Sequence, residues 1–198
     1  ITILPQGQTS ADFFSDGFSQ QNMAENHIEK FIESGYKGIH TYVPILRKKV
    51  FWSEQKRTIL VTGIGKAYAV KNSEYLNKYY HAIGSGHVDV GYELHSNLEL
   101  KKGNSLTING KQFHIQQCRE QSGSVDDINV WINLEEAQTL LGCKGAISEI
   151  WACVNYREGK TSRNFAINKI CSSCQLVENL PRQIMQSKTL QAATKASI

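Results

Sequence analysis

Cys171-Ser172-Ser173-Cys174 is the sharpest chemical candidate in this sequence. Two cysteines at this spacing act as a redox pair when a helix N-terminus or a nearby cation lowers the first thiol's pKa. Here the motif follows a helical pattern, at its C-terminal end, where the helix dipole disfavours a thiolate. The aromatic and proline residues usual around thioredoxin-type sites are missing. A closed zinc site needs four ligands, and no second CxxC or closely spaced histidine pair accompanies this one. What remains is a local disulfide between Cys171 and Cys174, or a pair of reduced, buried thiols. The other cysteines are Cys118, Cys143 and Cys153, and a total of five does not close a disulfide framework or reveal the compartment.

Other candidates fall away on spacing. Gly84-Ser85-Gly86 lacks the Gly-Lys-Ser/Thr of a phosphate loop, and Gly63-Ile64-Gly65-Lys66 is followed by Ala67 where such a loop needs Ser or Thr. His27, His40, His81, His87, His95 and His114 show no metal spacing. Asp126-Asp127, beside Ser124, does not continue into a calcium loop. No serine sits in a G-x-S-x-G elbow. The expectation is a chain with no catalytic residue, no cofactor-binding residue and no metal ligand of its own. One surface feature stands out: Phe51 and Trp52, near the tip of an expected hairpin and flanked by charges, have the make-up of a partner contact.

The bulk composition describes a folded protein, not a disordered one. The chain has 198 residues, 40% hydrophobic and 20% charged, as in ordinary folded proteins. Its net charge of +4 is spread along the chain. No basic stripe suits a nucleic acid, so no nucleic-acid partner is expected. No apolar run reaches the roughly 18 residues that cross a bilayer. The sequence begins at Ile1 inside a strand-like segment and stops at Ile198 inside a helix-like one, which reads as an excised or processed piece.

These features sit on elements legible from periodicity. Ile1–Pro5 reads as a strand, and Ala24, Ile28, Phe31 and Ile32 share one helical face, with Phe14 and Phe18 extending the stripe backward. Gly35 suits a left-handed helix cap. Ile39–Phe51 and Arg57–Gly63 read as a hairpin. After a Tyr-rich stretch, Val88–Val90 is a short strand, Tyr92–Leu98 a short helix and Lys102-Gly103-Asn104 a turn. Asn109-Gly110 joins two alternating runs, the strongest short hairpin signal. Asn133 caps a helix, with Glu136 expected to complete a capping box, Leu140 and Leu141 facing the core and Gly142 ending it. Ile147–Val154 is a strand, Ser162–Ile170 a helix and Gln175–Val177 a strand, and Pro181 opens a final helix. The class is α+β. Residues 1–66 (β-α-β-β) and 146–198 (β-α-β-α) read as two halves of one split α/β layer, with the mostly-β segment 67–145 inserted between them.

The stretch Val90–Gln117, with Leu98-Glu99-Leu100-Lys101-Lys102-Gly103-Asn104-Ser105-Leu106 followed by Asn109-Gly110-Lys111-Gln112-Phe113-His114-Ile115, resembles the extracytoplasmic domain of MacB-like (FtsX-like) ABC transporter permeases, a family that includes the lipoprotein-releasing LolC/LolE type. Val130–Gly142 and Ile147–Val154 match the family's next helix and strand. Asn104 replaces the family's usual Asp, and Asn133 stands near where Pro is common; both suit a turn or cap. The resemblance implies a porter-like α/β subdomain split by a Sabre-like β subdomain, lying outside the membrane between two transmembrane helices of a bacterial inner-membrane (periplasm-facing) permease. It implies that ATP is bound by a separate cytoplasmic ATPase subunit or domain, that a second permease copy is a partner, and that a periplasmic partner or substrate protein is contacted. A free-standing secreted α+β binding module is the alternative, and a thiol-redox protein using Cys171 and Cys174 a weaker one.

Overall fold

A computed structural model of the chain describes residues 1–8, 13, 15–70, 82–154 and 163–177. The helix expected from Pro181, Phe14, and residues 71–81 of the Tyr-rich stretch lie outside the described residues.

The longest strand organises the rest. β3 (Ile39–Trp52) is rich in β-branched and aromatic side chains and pairs antiparallel with β4 (Arg57–Ile64) through a 3-10 turn at Ser53–Gln55. Lys56, at φ 49°, closes that turn in the left-handed region. Pro44 interrupts the ladder without breaking it. Along one edge, β3 pairs first with β5 (Tyr68–Ala69) up to Tyr42 and then with β4 from Ile45. The missing N–H of Pro44 falls in the gap between these two partners, and its carbonyl accepts Gly65 N at 2.9 Å.

The remaining strands are β1 (Thr2–Pro5), β6 (His87–Val90), β7 (Ser105–Ile108), β8 (Lys111–Cys118), β9 (Asn129–Asn133), β11 (Glu149–Val154) and β12 (Cys174–Val177). They extend one sheet in the order β12-β1-β11-β3-β4-β9-β6-β8-β7, with β5 on β3. β2 (Met23–Ala24) and β10 (Ala146–Ile147) form a separate short ribbon. Two seams are parallel, β4 with β9 and β6 with β8; the other pairings are antiparallel. β1 lies between β11 and β12, so the two ends of the described chain interleave. The α+β class expected from the sequence is what the structure has.

Side chains alternate across this sheet. One face buries Ile3, Tyr42, Leu46, Trp52, Val61 and Ile132 under four short helices. These are α1 (His27–Glu33), α2 (Tyr92–Asn97), α3 (Leu134–Leu140) and α4 (Arg163–Ile170), which contribute Ile28, Phe31, Leu94, Leu134, Ala137 and Ile167. Each large side chain so buried stabilises the fold by about 1.5–3 kcal/mol. α3 presses closely on β4, because a Cβ at Gly63 would collide with the Cβ of Ala137.

Two local expectations met different outcomes. Asn109 (φ 46°) and Gly110 (φ 82°) form the expected hairpin turn between β7 and β8. Asn133 caps α3 by accepting Glu135 N at 3.0 Å, but Glu136 does not complete a capping box. Its carboxylate accepts Gly86 N at 3.0 and 3.1 Å and Ser85 Oγ at 3.1 Å, and pairs with Lys111 Nζ at 3.0 Å. A tertiary partner with two donors and a cation outcompetes one local backbone N–H.

Candidate functional site

The structure gathers polar chemistry in three places. The first is the sheet face opposite the helices. Arg47, 1% exposed, points there from β3. Its Nε donates to Thr62 Oγ1 at 3.0 Å and its Nη1 to Gly17 O at 3.0 Å. Thr62 Oγ1 donates in turn to Asn129 Oδ1 at 3.0 Å. Glu149 and Asp126 carry the balancing charge, at 3.9 and 3.8 Å from the guanidinium. Trp151 lies under it at 5.5 Å and donates its Nε1 proton to Glu149 at 2.9 Å. Further along the sheet, Arg119 forks onto the buried Asp89 at 2.8 and 3.2 Å and stacks on Trp131 at 3.8 Å. Both arginines are held by a carboxylate and an indole, an arrangement that fixes strands relative to each other.

The second place is the tip of the β3–β4 hairpin, where Phe51 and Trp52 were expected to face a partner. They part company. Phe51 is 60% exposed, whereas Trp52 is fully buried and donates Nε1–H to Thr107 O at 2.8 Å. Trp52 is therefore core, a correction that follows from strand alternation: successive residues take opposite faces, and only one of them meets solvent. The tip is clasped to the β7–β8 turn. Glu54 accepts the backbone N–H groups of Gly110 at 2.7 Å and Asn109 at 3.0 Å. Asn109 Oδ1 accepts Ser53 N at 3.1 Å, and its Nδ2 donates to Phe51 O at 3.2 Å. The Gly110 amide, followed by Ser53 and Asn109, holds the Glu54 carboxyl down to about 2.

The third is the corner where α1, α4 and β12 meet. Cys171, directly after α4, and Cys174, opening β12, are joined as a disulfide. Both are buried, at 2% and 1% exposure. His27 Nδ1 stands 3.9 Å from each sulfur, and Met23 Sδ lies 4.0 Å from Cys174 Sγ. Burial, with Lys30 nearby, lowers the His27 pKa. Local spacing does not connect His27 or Met23 with this pair, because His27 lies 144 residues from Cys171 and Met23 lies 151 residues from Cys174.

The remaining candidates resolve into structural roles. The Gly84-Ser85-Gly86 loop spends its donors on Glu136. Gly63 and Gly65 admit α3 and Pro44 at close range. Asp127 is partly buried, which would raise its pKa, but hydrogen bonds from Ser122, Gly123 and Ser124 outweigh that and lower it. The His87 and His114 rings lie 6.3 Å apart on neighbouring strands, and His95 binds Arg119 O at 2.9 Å. His81 lies outside the described residues. Among the described residues, no helix is long and apolar enough to cross a membrane.

No protein-family model matches the sequence, and no curated protein matches it either. Solved structures do match the fold. The periplasmic region of MacB from Actinobacillus actinomycetemcomitans aligns over 95% of this chain and 91% of its own, with a TM-score of 0.58 and 10% identity. The extracellular domain of the noncanonic ABC-type transporter YknZ from Gram-positive bacteria aligns over 90% of this chain and 99% of its own, with a TM-score of 0.52 and 11% identity. The chain has the fold of the extracytoplasmic domains of MacB- and YknZ-type ABC transporters.

Proposed function

We propose that this chain is the extracytoplasmic domain of an ABC transporter permease of the MacB/FtsX/LolC type. It couples ATP hydrolysis in a cytoplasmic ATPase subunit to movement outside the membrane, for substrate export, lipoprotein release or activation of a partner. The reading rests on one observation: the match to both transporter domains is close to end to end, so the whole chain, not a common sub-motif, carries it. The buried arginine brackets and the clasped hairpin tips support a stiff body suited to transmitting motion. The domain itself performs no chemistry in this reading. Phe51, exposed on a braced tip, is the contact assigned to a periplasmic partner or substrate protein.

The test uses the complete protein. Its reading frame is expected to encode membrane helices on both sides of this segment. Spin labels at Phe51→Cys in the reconstituted permease dimer, with its ATPase, are expected to change separation between ATP-bound and nucleotide-free states. A frame with no flanking membrane helix would overturn the proposal. So would a distance unchanged by nucleotide in a preparation that hydrolyses ATP.

A further inference from the structure

The corner formed by His27, Cys171 and Cys174 holds more chemistry than a disulfide needs. Their ligand atoms all lie within 4.8 Å of one another. Ligands on a tetrahedral ion at about 2.3 Å stand about 3.8 Å apart. His27 Nδ1 is 3.9 Å from Cys171 Sγ and 3.9 Å from Cys174 Sγ, so two edges of such a site already exist. Only the edge spanned by the S–S bond has to open. Three elements distant in sequence fix these positions: His27 begins α1, Cys171 follows α4 with its N–H on Ile167 O at 2.9 Å, and Cys174 begins β12.

Two observations separate a metal site from a redox nucleophile. Both sulfurs are almost fully buried, closed to a protein disulfide substrate. The C-terminal end of α4 also places partial negative charge beside Cys171, which disfavours a free thiolate and favours a bound cation. The donor set is soft: two sulfurs and an imidazole, with the Met23 thioether 4.0 Å from Cys174.

We propose that, once reduced, the Cys171–Cys174 pair and His27 bind one thiophilic d10 cation, Zn(II) or Cu(I). Reduction requires a small-molecule dithiol, which reaches the buried bond by local opening of the corner. One of its thiolates attacks a sulfur of the Cys171–Cys174 bond, its second thiolate resolves the mixed disulfide, and two protein thiols and one oxidised dithiol result. The ion then displaces both thiol protons and takes the two thiolates and the His27 Nδ1 lone pair. Disulfide and metal are thus mutually exclusive states of one corner, and the oxidation state decides whether the ion is held.

The experiment uses the 198-residue chain carrying Cys118→Ser, Cys143→Ser and Cys153→Ser. The chain is reduced with a phosphine under argon and freed of excess reductant. It is then titrated with Zn(II) alone, and separately with Cu(I) alone, each against a chromophoric chelator. One ion per chain is expected for the reduced form and none for the oxidised form. His27→Gln is expected to weaken binding by more than about tenfold, the lower bound seen when even an outer-shell partner is lost. Met23→Leu separates the ions: it weakens Cu(I) and leaves Zn(II) unchanged if the thioether is a ligand of copper alone. Equal binding by oxidised and reduced protein would overturn the proposal. So would retention of the ion by a Cys171→Ser/Cys174→Ser variant, or failure of the reduced, folded chain to take up either ion. The oxidised protein keeps every residue in place, so the comparison stands even where a cysteine variant does not fold.

Discussion

Glu54 on one hairpin and Gly110 on another are joined by a 2.7 Å hydrogen bond from backbone amide to carboxylate, across 56 residues of sequence. The bond is stronger to the ionised carboxylate than to the protonated one. Its pKa is depressed from the ordinary 4.5 to about 2, first by Gly110. A depressed folded pKa contributes stability that is present above the ordinary value and lost as pH falls through the folded one. The clasp is therefore intact at neutral pH and weakens only between about 4.5 and 2. The Gly110 amide resonance is expected to titrate with a midpoint near 2. In Glu54→Gln, that resonance should shift at neutral pH and stop responding to acid. A midpoint at the ordinary carboxylate value would contradict the clasp.

Arg47 and Glu149 are each 1% exposed, so neither charge can be relieved by solvent if the other is removed. Arg47→Met is expected to destabilise the domain by about 3–5 kcal/mol, as when one member of a buried pair is lost. Arg47→Met combined with Glu149→Gln should recover part of that loss, because the orphaned charge is gone. Denaturant unfolding of the four species gives the coupling directly; additive losses would remove the pair from the account.

Phe51 and Trp52 are neighbours with opposite expected phenotypes. Trp52→Ala should lose about 3–5 kcal/mol from the cavity and the vacated Thr107 carbonyl. Phe51→Ser should change stability by no more than about 0.5 kcal/mol. If Phe51 is the partner contact, its loss should impair transport or partner activation in the whole permease while the domain's melting curve is unmoved. A melting curve lowered as far as that of Trp52→Ala would place Phe51 in the core instead.

Tyr42 is fully buried on the helix-covered face, 5.5 Å from Phe31, and its hydroxyl finds no hydrogen-bond partner among the described residues. Burial, with Tyr36 nearby, pushes its pKa well above the ordinary value. Removing an unpaired buried hydroxyl while keeping the ring should be neutral or stabilising, by up to about 1–3 kcal/mol. Thermal unfolding of Tyr42→Phe checks this, and a clear loss of stability would reveal a partner for the hydroxyl.

Elements set by local chemistry were legible in the sequence. Asn109-Gly110 demanded a hairpin because both residues tolerate positive φ, and Asn133 capped its helix because its side chain reaches the next turn. What depended on distant partners was not. Glu136 fits the local capping pattern, and only the arrival of Gly86 and Lys111 explains where its carboxylate goes. Trp52 looked like a tip residue until the β7–β8 hairpin supplied the Thr107 carbonyl beneath it. His27 carried no signal because its sulfur neighbours come from the far end of the described chain. Spacing rules read one segment at a time, and these contacts join segments that spacing rules never compare.

The placement of β1 bears on biosynthesis. Thr2 and Ile3 pair with Trp151 and Ile150 on one side and with Val177 and Leu176 on the other, and Ile1 N donates to Ala152 O at 3.1 Å. β1 is thus synthesised well before either of its neighbours in the sheet. During vectorial synthesis, it must remain an unpaired, apolar ribbon until nearly all the described chain has emerged, whereas the β7–β8 hairpin can close at once. Long-range pairing of this kind slows folding and prolongs the exposure of sticky edges. Holdases, and the timing of emergence, therefore bear on the yield of this domain as much as its final stability does.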